Sequence, residues 1–174
     1  KRSVSLSLAI AIVLTAVASS VNVEQPLDVQ FALKYGMIKV EGSVLEKFQL
    51  VQELGYDGLE VNAPSGSREA FKAAMEATGL PIHGVVCSTH WRKLLSDPDE
   101  QMRAEGLEGL KQALHDAAYY GATSVLLVPG KVTPGATYDE VWERSVVALR
   151  KALPLAEALN IQILLENVWN DFLT

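Results

Sequence analysis

Cysteine is nearly absent from this chain of 174 residues: Cys87 stands alone. A single thiol excludes an internal disulfide and any cysteine-rich zinc site. It leaves the compartment open, because an exported protein need not carry disulfides. No cluster of Lys or Arg offsets the formal net charge of -6, which places nucleic-acid binding outside the expected functions. No G-x-G-x-x-G or P-loop follows the first predicted strand, so a nucleotide-binding sheet lacks its main sequence support. No apolar run reaches the roughly 20 residues of a comfortable transmembrane helix, so no stable membrane span is expected. What is present is an ordinary globular balance, 49% hydrophobic and 21% charged. That balance is too apolar for a disordered chain, and the length suits one domain or part of one.

The first 24 residues differ from the rest. Lys1 and Arg2 precede an apolar run from Leu6 to Ala18 that closes on Ala16-Val17-Ala18. A basic start, a short apolar stretch and a small-residue site read as a secretory signal peptide. The competing reading is a buried N-terminal helix or an uncleaved anchor. Residues 1–24 are therefore taken as a leader-like segment and 25–174 as the folded part. Export to a periplasm or the extracellular space follows if the leader functions; a cytoplasmic protein follows if it does not. The chain does not begin with Met, so it is expected to start inside its gene product.

From about Gln30 onward, strand-like and helix-like segments alternate. Strands are predicted over Gln30–Ile38, Gly58–Asn62, Ile82–Thr89, Ser124–Val128 and Ile161–Glu166. Between them, Ser43 with Glu46 has the spacing of a capping box, and Val44, Leu45, Phe48, Val51 and Leu54 recur at helical spacing. A second helix spans Arg68–Thr78 and is stopped by Gly79 and Pro81. A third is predicted with Asp97 as N-cap, Pro98 at its first position and Glu100 completing the box; Gly121 ends it. Thr137 and Glu140 cap a fourth helix, Tyr138–Leu159, with Pro154 expected to kink it. Strands alternating with amphipathic helices imply an α/β protein with a parallel sheet, as a doubly wound sheet or a partial (β/α)8 TIM barrel. A full barrel needs about 250 residues. Five strands and four helices are therefore expected to be the N-terminal part of a longer polypeptide.

In a barrel the chemistry collects where strands end. Alternation places Leu59 and Val61 on one face of the second strand and Glu60 and Asn62 on the other, toward the interior. An inward carboxylate is costly unless paired or metal-bound. The third strand runs into His90 and Trp91, a pair suited to hydrogen-bonding and stacking on a small polar substrate. A histidine that merely satisfies its loop is the alternative. His83 starts the same strand and is read as structural, His115 as a surface residue, Cys87 as a small buried one. Lys131 follows the fourth strand, as a contact for phosphate or carboxylate or simply as a solvated lysine. On the fifth strand Gln162, Leu164 and Glu166 share a face. A carboxylate at that exit can ligate a hard cation and can move a proton; a salt-bridged structural Glu is the alternative.

Three segments carry a resemblance: Gly55-Tyr56-Asp57-Gly58-Leu59-Glu60, Ser88-Thr89-His90-Trp91 and Leu165-Glu166-Asn167-Val168-Trp169-Asn170. Together they resemble the xylose-isomerase-like TIM barrel superfamily, in its sugar-phosphate isomerase and epimerase branch, over about Gln30 to Thr174. The last segment is the most specific. The resemblance implies a divalent metal, Mn2+ or Mg2+ first and Zn2+ or Co2+ as alternatives. Its ligands would be a Glu on strand five, an Asp on strand six, a His on strand seven and a Glu on strand eight. It places the first ligand at Glu166, which doubles as a catalytic acid/base, with His90, Trp91, Glu60 and Asn62 lining the substrate pocket.

The implied function is isomerisation or epimerisation of a small sugar or hydroxycarbonyl compound through an enediolate. With the ligands of strands six to eight beyond Thr174, the polypeptide alone is expected to be inactive and the activity to belong to its full-length parent. Superfamily members that cleave damaged DNA with three metals need more strand-end histidines than are present. Alternatives are a non-catalytic exported carbohydrate-binding barrel and an inositol-type dehydratase or lyase. Oligomeric state is left open, a homo-oligomer included.

Overall fold

A computed structural model describes residues 29–173; the leader-like segment at 1–24 lies outside the described residues. Five strands, β1 (Ala32–Lys34), β2 (Gly58–Ala63), β3 (Ile82–Cys87), β4 (Ser124–Leu127) and β5 (Gln162–Leu165), alternate with four helices. These are α1 (Val44–Glu53), α2 (Arg68–Thr78), α3 (Glu100–Tyr120) and α4 (Tyr138–Leu159).

Local signals account for most of the boundaries. Ser43 and Thr137 each form a complete capping box, with Glu46 and Glu140 reaching back to the cap backbone. Each box satisfies two of the amide donors a helix start leaves unpaired. Gly79 and Gly121 close α2 and α3 in the left-handed conformation that glycine adopts without a Cβ penalty. Pro154 lies inside α4, and the helix continues through it to Leu159.

Two expectations are corrected. The first strand is three residues long, because the chain turns through a 3-10 segment, Tyr35–Met37. That turn lays the Tyr35 ring edge-on against Phe71, centroids 4.8 Å apart. Helix α3 begins two residues late. The Asp97 carboxylate accepts the amide of Asp99 two residues on, and Asp99 in turn caps Gln101. An Asx turn has taken the residue that the sequence offered as a cap.

All five strands are parallel and lie in the order β1-β2-β3-β4-β5. This order decides between the two architectures, since a doubly wound sheet reverses direction at a switch point and puts helices on both faces. Here the helices cover one face only. Leu59, Val61, Ala63, Val85, Cys87, Val125 and Leu127 point into them and are fully buried with Phe48, Val51, Leu110 and Leu114. The protein is an α/β fold, a partial TIM barrel of five strands and four helices.

The opposite, concave face is lined in register. Lys34, Glu60, Gly84, Ser124 and Gln162 are lateral neighbours across the sheet. Asn62, Val86, Leu126 and Leu164 form the next row toward the strand exits. At position 84 an added Cβ would lie in van der Waals reach of the Ser124 hydroxyl and the Glu60 carboxylate, so this row of the concave face is closely spaced.

Candidate active site

The strand exits bring together loops that the sequence separates widely. Glu60 is half-buried and Asn62 exposed on the concave face, as alternation from the buried Leu59 and Val61 requires. Glu166 is the first residue past β5. Its backbone amide donates to the carbonyl of Leu127 (3.0 Å), which extends the parallel ladder by one bond beyond the strand and leaves the side chain exposed. His90 and Trp91 lie in the turn after β3. The imidazole is 4% exposed, whereas the Trp91 indole is 49% exposed and meets the His90 ring edge-on at 5.0 Å.

His90 is tied to the neighbouring strand. The amide of Val128, just past β4, donates to its Nδ1 at 3.0 Å. A ring nitrogen that accepts carries no proton, so the neutral ring keeps its hydrogen on Nε2 as a donor. Burial, reinforced by the positive charge of Lys34, holds the imidazole pKa down to about 4. His90 is thus a neutral hydrogen-bonding group at neutral pH, not a cation. Lys34 escaped the sequence reading; its place beside Glu60 on the concave face comes from the β1–β2 register, which the structure alone supplies.

The loops after β4 and β5 are pinned to each other. The buried Asn170 side chain donates from Nδ2 to the carbonyl of Gly130, and its backbone carbonyl accepts the amide of Val132 at 3.2 Å. Phe172 is buried against Ala136, Val141 and the rings of Tyr138 and Trp142. Between Glu166 and these anchors stands Trp169, 90% exposed, its ring centroid 6.3 Å from that of Trp91. Lys131 is exposed, with its backbone amide on the Ser96 hydroxyl. Cys87 is buried on the helix side of the sheet with its thiol pKa raised by burial, and His83 and His115 are exposed at the far ends of their elements.

The β3 loop rests on two helical glycines. A Cβ on Gly109 would strike the Thr89 side chain, and one on Gly106 would strike the Lys93 carbonyl. Gly109→Ala is therefore expected to lower stability by about 1–3 kcal/mol, the usual cost of overpacking. Urea unfolding of the variant checks this; an unchanged midpoint would show that the loop moves aside freely.

Among the described residues, no group of three or more His, Cys, Asp or Glu side chains is arranged to hold a metal. Glu166 offers one hard oxygen donor where a divalent cation takes about six ligands. The described residues therefore do not complete a metal shell by themselves. Among them, no helix is long and apolar enough to cross a membrane. A cavity of about 420 Å³ lies elsewhere, on the outer helical layer, lined by residues such as Arg103, Leu107, Arg144 and Val147. It lies between α3 and α4 outside the sheet and does not open on the concave face that carries Glu60, Asn62 and Glu166, so it is not the candidate site.

Residues 48–174 match a family profile described as a xylose isomerase-like TIM barrel. The chain is similar to the 3-dehydro-D-guloside 4-epimerase of Escherichia coli K12, 30% identical over 89 residues that cover 49% of this chain and 32% of that protein. It is also similar to an Escherichia coli L-ribulose-5-phosphate 3-epimerase, 26% identical over 134 residues, 70% of this chain and 47% of that one. The crystal structure of the apo 3-keto-D-glucoside 4-epimerase from Escherichia coli shares the fold, with a TM-score of 0.71 at 21% identity over 81% of this chain and 57% of that chain. The chain thus spans less than half the length of these two curated relatives.

Proposed function

The chain belongs to the xylose isomerase-like TIM barrel family, and from that premise we propose that its barrel isomerises or epimerises a small sugar by moving a proton on the carbon beside a carbonyl. The observation that carries the reading is the placement of Glu166, an exposed carboxylate at the exit of β5 on the concave side, in a chain whose relatives are sugar epimerases.

The chemistry follows from the residues. The Glu166 carboxylate accepts the proton of the C–H bond next to the carbonyl, and the bonding pair moves toward the carbonyl oxygen to give an enediolate. Return of a proton to the opposite face of the same carbon, from a second acid that is not among the described residues, inverts it; return by Glu166 to the neighbouring carbon isomerises the sugar. Nε2–H of His90 donates to a substrate oxygen, and Asn62 and Glu60 on the concave wall take further hydroxyls. A divalent cation, Mn2+ or Mg2+ with Zn2+ or Co2+ as alternatives, would take Glu166 as one ligand and supply Lewis-acid polarisation of the carbonyl. Its remaining ligands are not among the described residues.

The test is hydrogen exchange. The full-length protein with Mn2+ in D2O is expected to place deuterium on the carbon beside the carbonyl of a free ketose or a keto-glycoside. Failure to exchange across a panel of both classes would remove the proton-transfer reading.

A further inference from the structure

We propose that the cavity of about 420 Å³ between α3 and α4 is a second binding site, for a small carboxylate with an apolar body. Its chemistry is independent of the sugar chemistry at the strand exits.

Three separate pieces of chain build the cavity: the end of the β3 loop, the first turns of α3 and the middle of α4. The strand between the two helices, β4, is paired on both sides, so the cavity does not lie at an open edge of the sheet. Its apolar lining runs from the buried Leu95 and Ala148 through the half-buried Leu107 to the exposed Val147.

Two arginines line the same cavity, and backbone carbonyls hold both of them. Nη1 of Arg103 donates to the carbonyls of Asp97 (2.7 Å) and Pro98 (2.9 Å). Nη1 of Arg144 donates to the carbonyl of Ser96 (3.5 Å), and its Nη2 donates to the Glu140 carboxylate (3.1 Å). Arg144 is thus already matched with an acid, whereas Arg103 uses one nitrogen on carbonyls and keeps the donors of Nε and Nη2. Among the described residues, no carboxylate lies within ion-pair distance of Arg103 or of Lys151, the third cation of the lining. Glu100 and Glu143 also line the cavity, but both are exposed, where water and salt screen their charge.

The two kinds of lining identify the occupant. A guanidinium fixed by its own backbone bonds, with donors to spare, is suited to the planar fork of a carboxylate. An apolar wall with a few fixed polar groups is the usual make-up of a small-molecule site, and such sites enclose about 300–1,000 Å³. An inorganic anion would satisfy the arginine and leave the wall wet. A hydrocarbon cation would cover the wall and meet Arg103 with like charge.

The experiment titrates the full-length protein by calorimetry with hexanoate, with hexylammonium and with inorganic phosphate. Hexanoate is expected to bind with a Kd below about 1 mM, and the other two at least about tenfold more weakly. Arg103→Gln is expected to weaken hexanoate at least about tenfold. Because that change also removes bonds to the β3 loop, a second variant, Val147→Asp with Lys151→Gln, alters two exposed positions that the fold tolerates, and the same loss is expected of it. Amide exchange locates the ligand, with slowing expected over 94–107 and 143–151 on addition of hexanoate. No hexanoate binding at about 10 mM, or phosphate or hexylammonium binding as tightly as hexanoate, overturns the site. So does hexanoate binding that survives the double variant, or protection confined to other segments.

Discussion

Glu166→Gln in the full-length protein is expected to lower turnover by at least about a thousandfold, within the range attributed to a lost general base. The amide has the size and shape of the carboxylate and cannot accept the proton from carbon at neutral pH. It is also a poorer donor to a hard cation, so Mn2+ affinity is expected to fall in the same variant. Stability is the control that gives the result its meaning. Glu166 is exposed, and its tie to the sheet is a backbone bond to Leu127 that the substitution leaves in place. Measured without added metal, unfolding free energy should therefore move by no more than about 0.5 kcal/mol, as for other surface changes. Steady-state rates with a responsive sugar, set beside a urea melt, decide the matter: full activity in Glu166→Gln would sink its catalytic role.

The second expected result concerns His90 and pH. With its pKa held to about 4 in the fold and near 6.5 when unfolded, this group binds more protons in the unfolded chain throughout that interval. Its contribution is fully present above pH 6.5 and is lost as pH falls toward 4, by on the order of 3 kcal/mol. Other groups titrate in the same range, so the quantity to measure is the difference from His90→Asn. An Asn carbonyl oxygen can sit where Nδ1 sits and keep the bond from Val128 without titrating. The difference in stability between the two proteins should shrink as pH is lowered from 7 to 4 if the parent alone pays for the buried imidazole. His90→Phe, which offers the Val128 amide nothing, is expected to lose about 1–3 kcal/mol at pH 7. Parallel pH profiles for the parent and His90→Asn would show that the ring is not held neutral by burial.

What the sequence made legible follows from how local each signal is. Helices α2 and α4 have the bounds read from sequence, because Gly79 and the Thr137–Glu140 box act within a few residues of the ends they set. Alternation about Leu59 and Val61 was enough to turn Glu60 and Asn62 inward. The start of α3 was misread because Asp97, Pro98 and Glu100 have the spacing of a capping box, and only the turn shows that Asp99 is the cap in use. The first strand was drawn too long because the turn at Tyr35 depends on Phe71, a residue on another helix. At the site the same distinction holds. The positions of Glu166 and His90 just past strand ends could be read from the sequence. The effect of Lys34 on His90, and the meeting of Trp169 with Trp91, depend on curvature of the sheet, which no single segment encodes.

The consecutive strand order also bears on how the protein is made. Among the described strands each pairs with the one synthesised just before it, so the largest loop that must close between two of them is about forty residues. Closure entropy is then met in small instalments instead of one large one. A chain wired this way can assemble in the direction of translation, each strand and helix docking on a template already in place. The exposed edge moves forward one strand at a time, and at each stage the newest strand is the one left uncovered to a stray neighbour.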